Sequence, residues 1–207
     1  MKKLLILLFS LFLLSSPSIF ADDISDFEIE GISIGDSLLD YMTEEEILEE
    51  IELNKNDYSH LEEPNKFSEV YIFEGFPIYK DGLSFYIKNN SQNQYVTNNN
   101  EKYAILALRG LITYIEDFDS CIQKRDEIAE ILSEMFSNAE KTESIFTYAE
   151  GSFDESEIDS IMFSLSSGMI EAQCNDWNET YRTQNNFSEG LTVELTSKEL
   201  VNWMENE

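Results

Sequence analysis

The chain has 207 residues, with 13 Lys and Arg against 42 Asp and Glu, one His, two Cys and a formal net charge of −29 at pH 7. An anionic surface of this kind excludes nucleic acid and anionic membrane as partners, because binding either depends on basic side chains displacing counterions. A hydrophobic content of 42% and an aromatic content of 13% suffice for a packed core and exclude a disordered chain.

The N-terminus reads as an export signal. Lys2 and Lys3 precede an apolar run from Leu4 that passes Ser10 and ends at Leu14, and a small-residue segment leads to Ala21 before Asp22-Asp23. The apolar run is too short to cross a bilayer as a helix, which predicts a cleavable signal peptide over residues 1–21 and a mature chain from Asp22. Removing 21 residues and two lysines would leave 186 residues, with 11 basic against 42 acidic side chains and a net charge of −31. That length suits one domain over 22–207, which admits a division into halves 27–117 and 118–207. The address is the periplasm or the medium, and no cysteine follows the apolar run to carry a lipid.

After the signal, the apolar residues between Phe27 and Ile34 predict a short strand. Gly35-Asp36-Ser37 breaks it and caps a helical turn at Leu38–Met42. Thr43 and Glu46 have capping-box spacing, and Glu44, Glu45 and Glu46 favour the positive end of a second helix, whose stripe of Ile47, Leu48 and Ile51 is narrow. Phe67–Phe73 and Leu83–Lys88 then read as paired strands, with a turn at Lys80-Asp81-Gly82. Residues 89–100 are polar and read as an exposed loop.

The stretch from Tyr103 to Phe136 organises the rest. An apolar strand, Tyr103–Ile115, carries a predicted bulge at Gly110. It leads to a helix that Ser120 and Gln123 would cap, whose apolar face is Ile128, Ile131, Leu132, Met135 and Phe136. Ile158–Leu165 and Met169–Asn175 follow as strands around a Ser166–Gly168 turn, with Ile170, Ala172 and Cys174 on one face. Gly190–Leu195 is the last strand, and Thr196 with Glu199 opens a terminal helix. Hairpin strands separated by helices mean α+β with a mainly antiparallel sheet and one long central helix packed on it, between short N-terminal and C-terminal helices.

Cys121 stands at the start of the central helix and Cys174 on an inward strand position. Two cysteines in an exported chain read as one disulfide, closing a separation of 53 residues worth roughly 4 kcal/mol on the chain-entropy model. One histidine and no C-x-x-C leave no metal site of that type, and no cofactor is implied.

One constellation has the form of a catalytic site. Gly31-Ile32-Ser33-Ile34-Gly35 matches G-x-S-x-G, Gly35-Asp36-Ser37-Leu38 resembles the block that names the GDSL esterases and lipases, and Asp57-Tyr58-Ser59-His60 spells that family's Asp-x-x-His. The resemblance implies Ser37 as nucleophile and His60 as base. The chain departs from the family in three ways: the strand before Ser37 carries Glu28 and Glu30, the Asp-x-x-His lies near Ser37 rather than at the C-terminus, and no Gly-x-Asn-Asp occurs. The alternative role for Ser37 is a helix cap. Asp117-Phe118-Asp119 lacks the glycine and distal glutamate of a calcium loop, and Trp177 reads either as a binding aromatic or as packing beside the disulfide.

Ile34–Tyr41, the strand-Cys-helix joint and Cys174-Asn175-Asp176-Trp177 together resemble a group of small exported bacterial proteins with no assigned activity. The order of elements is similar to that of small outer-membrane assembly lipoproteins and a secreted β-lactamase inhibitor. The expectation is therefore a non-enzymatic binding domain whose partner is a protein or another envelope component. The alternatives are the Ser37–His60 esterase and a cation-binding acidic domain.

Overall fold

The computed structural model describes residues 23–55, 67–88, 102–148, 156–185 and 189–205. Seven strands form one sheet: β1 (Phe67–Ile72), β2 (Leu83–Lys88), β3 (Ile105–Thr113), β4 (Glu140–Thr147), β5 (Glu157–Ser164), β6 (Gly168–Asp176) and β7 (Gly190–Ser197). Their order is β1-β2-β3-β7-β6-β5-β4 and every pairing is antiparallel. Four α-helices accompany them: α1 (Glu44–Asn54), α2 (Phe118–Met135), α3 (Glu179–Asn185) and α4 (Lys198–Met204). The architecture is the expected α+β fold with α2 as its long central helix. β3 and β7 join at the middle of the sheet, so both halves of the sequence contribute to one continuous hydrogen-bonded surface.

The core lies on one face. Along β2, Leu83, Phe85 and Ile87 point to it. Along β6, Ile170, Ala172 and Cys174 do so, and along β7, Leu191, Val193 and Leu195. Helix α2 covers β5, β6 and β7, laying Cys121, Ala129, Leu132 and Phe136 on them. Cys121 and Cys174 are bonded there with Cα atoms 6.0 Å apart, the expected pairing, and both are fully buried. Arg125 is buried on the same helix face, its guanidinium ion-paired to Asp159 of β5 and bound to Asp126 at 2.7 Å. The N-terminal segment adds Ile24, Ile29, Ile32 and Leu38 to the same core, with Ile24–Asp26 against β6 and β7 and Ser37 bridged to Ala104 before β3, and α1 packs against β1 with Ile47 buried.

Several local expectations change. The segment expected as a strand at Phe27–Ile34 is a two-residue reverse turn: Ile29 and Ile32 exchange both backbone bonds, and Glu30 and Gly31 both have positive φ, the geometry of a tight hairpin turn. Outside the sheet, its Glu30 carboxylate accepts from the backbone N–H groups of Ile78 (2.7 Å) and Tyr79 (2.9 Å). The β3 irregularity is not at Gly110, which pairs in register with Leu83 and Val193. It falls at Leu106, the extra residue opposite Tyr86 and Ile87, and so turns both Leu106 and Ala107 to the far face. Gly110 is small because the Tyr79 ring lies on it: an added Cβ would stand 2.3 Å from that ring.

The caps also move. Asp117, not Ser120, caps α2, accepting from the Ser120 N–H at 3.3 Å, and Ser197, not Thr196, caps α4, its Oγ accepting from the Leu200 N–H at 3.4 Å while the Thr196 hydroxyl donates to Glu194. Ile131 is exposed rather than part of the α2 apolar face. β4 and α3 were not expected. All eight β4 residues are exposed, so its sequence lacks the alternation that burial imposes. The polar loop expected at 89–100 lies outside the described residues.

Candidate functional site

Among the described residues, the second face of the sheet is covered only at one corner. There Leu200 and Trp203 of α4 pack on Phe67, Leu106 and Ala107, with the Trp203 and Phe67 rings 4.7 Å apart edge to face. The rest is an open trough of about 560 Å³ running across the strands. Strand pairing dictates its floor. Ser84 of β2, Arg109 of β3, Glu194 of β7 and Glu171 of β6 stand in one cross-strand row, and Leu111, Thr192 and Gln173 form the next. Side chains directly opposite each other on antiparallel strands sit about 5 Å apart at Cβ, so each row is a contiguous ladder.

Charge in that row is uneven. The Arg109 guanidinium donates from Nε (2.8 Å) and Nη2 (2.6 Å) to Oε2 of Glu194, and Thr196 Oγ1 donates to Oε1 at 2.9 Å. Glu194 is thus held at both oxygens. Glu171 faces Glu194 from the next strand; among the described residues no Lys or Arg forms an ion pair with it. Its carboxyl pKa is raised, first by burial, with the Glu194 charge adding and the Ser160 hydroxyl and Arg109 opposing. Glu69 lies on the same face opposite Tyr86, almost wholly buried. Burial pushes its carboxyl pKa up against the opposing pull of the Tyr71 hydroxyl, the Arg109 charge and the Tyr86 hydroxyl.

Aromatic rings close both ends. On β1 and just after it, the Tyr71 and Phe73 rings stack in parallel at 5.7 Å, and Phe73 is largely exposed. At the far end stands Trp177, its ring 6.4 Å from that of Tyr148, which in turn meets Phe146 edge to face at 4.7 Å. From β1 to β6 the sheet takes four inter-strand steps of about 4.8 Å, roughly 19 Å in all. Amide groups line the Trp177 end, where Gln173 Nε2 donates to Asn175 Oδ1 at 2.6 Å.

The residues singled out in the sequence fall elsewhere, with one exception. Ser37 is a cap, 4% exposed: its Oγ accepts from the Leu39 N–H at 3.3 Å and donates to the Lys102 carbonyl at 2.7 Å. Among the described residues no sheet strand precedes it, and Ser33 of the G-x-S-x-G match uses its N–H on the Asp36 carboxylate at 2.9 Å. His60 lies outside the described residues. Asp117 is the α2 cap, and among the described residues no three His, Cys, Asp or Glu converge as a metal site. Trp177 is the exception, standing at the trough. Arg109, Glu171 and Glu194 were missed, although Arg109 left a signal: it is the one charge inside the apolar strand Ile105–Thr113.

No helix among the described residues is long and apolar enough to cross a membrane. Comparison with protein-family models, with curated proteins and with solved structures found no match to this chain, so what it can do is argued from the trough itself.

Proposed function

We propose that this protein is an exported, non-enzymatic binding domain that takes an extended ligand, from a protein or another envelope component, in the trough on the open face of its sheet. One observation carries the reading. α1, α2 and the N-terminal segment all pack on the other face, and the uncovered rows combine polar floor with aromatic ends around about 560 Å³. A face that only met solvent would have no need of half-buried carboxylates, amides and a stacked ring pair; pockets that bind use a few placed polar groups between aromatic walls. Export is supported by the basic and apolar N-terminus and by the Cys121–Cys174 bond, which persists in oxidising compartments.

The test blocks the trough without touching the core. Thr192→Trp places a ring in the middle of the floor from a half-exposed position. Wild type and variant are applied to arrays of envelope glycans and of short peptides. At least one probe is expected to bind wild type and to be lost by the variant. The reading fails if no probe binds wild type, or if every probe that does binds the variant equally.

A further inference from the structure

Resting on that reading, we infer that the trough receives an extended peptide segment of a partner protein carrying lysine or arginine, one cationic side chain of which meets Glu171. Charge complementarity selects the occupant. The floor has two facing carboxylates from adjacent strands, Glu171 and Glu194, and one guanidinium. Arg109 is committed to Glu194 through two donors, and Thr196 holds the remaining oxygen of that carboxylate. Glu171 therefore stands beside a satisfied ion pair as a carboxyl group with which no lysine or arginine of the described residues forms an ion pair of its own. A ligand cation placed between Glu171 and Glu194 offsets the repulsion of two like charges directly opposite each other on neighbouring strands.

The ends of the trough agree with that chemistry. Tyr71 with Phe73 at one end and Trp177 at the other offer ring faces, which attract ammonium and guanidinium groups and also take the apolar stems of their side chains. The roughly 19 Å across the strands from β1 to β6 is covered by about six residues of extended chain at about 3.3 Å each. A chain of net charge −29 draws basic segments from a distance and repels acidic ones, so steering and site select the same sign.

Fluorescence anisotropy at 0.15 M salt would test this with a labelled six-residue peptide of alternating lysine and serine, against a version with glutamine for lysine. Glu171→Gln keeps the shape of the side chain and removes its charge, and Glu130→Gln removes one exposed charge on α2 as a control for overall acidity. The lysine peptide is expected to bind wild type and Glu130→Gln alike. It should weaken by at least about tenfold on Glu171→Gln, as follows from losing one charged hydrogen bond. Equal binding to Glu171→Gln and wild type, an equal loss in Glu130→Gln, equal binding of the glutamine peptide, or no binding of the lysine peptide to wild type would each overturn the inference. A different ligand lost by Thr192→Trp yet indifferent to Glu171→Gln would overturn it while leaving the trough as the binding site.

Discussion

Glu69 is a carboxyl group buried at 1% exposure beside Tyr71 and Tyr86, and its titration links one side chain to the stability of the whole. Burial raises its pKa above the value it has in the unfolded chain, so the folded protein binds that proton more tightly than the unfolded one. The group therefore favours the fold below the ordinary carboxyl range, and that contribution disappears as pH rises through the raised value. Glu69→Gln makes the side chain permanently neutral. Its stability relative to wild type should be greater at pH 8 than at pH 4, as read from urea midpoints at both. A difference independent of pH would show that the carboxyl titrates as it does in the unfolded chain. Legibility varies at this scale. The Thr43–Glu46 box was readable because its partners are three residues apart: Glu46 N–H reaches Thr43 Oγ1 at 3.3 Å, and the Glu46 carboxylate returns to Thr43 N–H at 2.8 Å. Glu69 was not readable, since Tyr86 and Arg109 come to it from other strands.

Among elements, β4 and β6 are opposites. β6 lies between two strands under α2, with Ile170, Ala172 and Cys174 fully buried, and its alternation is plain in the sequence. β4 is the outermost strand, extends beyond the helix layer and keeps Ile145 and Phe146 exposed. Its residues Glu140, Lys141 and Glu143 are charges of the kind that discourage further pairing at an edge. With almost no buried apolar surface to hold it, β4 should open locally at much lower free energy than the sheet centre. In native-state hydrogen exchange, amides of 140–147 bonded to β5 should exchange at least about a hundredfold faster than those of 168–176. Equal protection of the two segments would mean that β4 unfolds only with the whole domain. The same contrast explains why β4 was missed: a strand exposed on both faces leaves no periodic mark.

For the whole molecule, the bond between Cys121 and Cys174 ties the first turn of α2 to an inner strand, across a separation of 53 residues. Replacing both cysteines by alanine should destabilise the fold by up to about 4 kcal/mol on the chain-entropy account, measured by urea unfolding. A loss below about 1 kcal/mol would show that packing of α2 on β5, β6 and β7 suffices alone. This bond, the α+β class, the antiparallel sheet and the central helix were all legible in the chain, because each follows from local spacing or from a choice between two cysteines. The trough was not. Arg109, Glu171 and Glu194 lie 85 residues apart at the extremes and become neighbours only because β7 enters between β3 and β6. Read singly, each is an ordinary polar residue on the outer side of a strand. Sequence alone determined the apolar core positions of the inner strands β2, β6 and β7, since burial on one face writes a period of two into a strand. The tertiary structure alone decided which outward residues face one another, since that depends on strand order, and strand order leaves no such period.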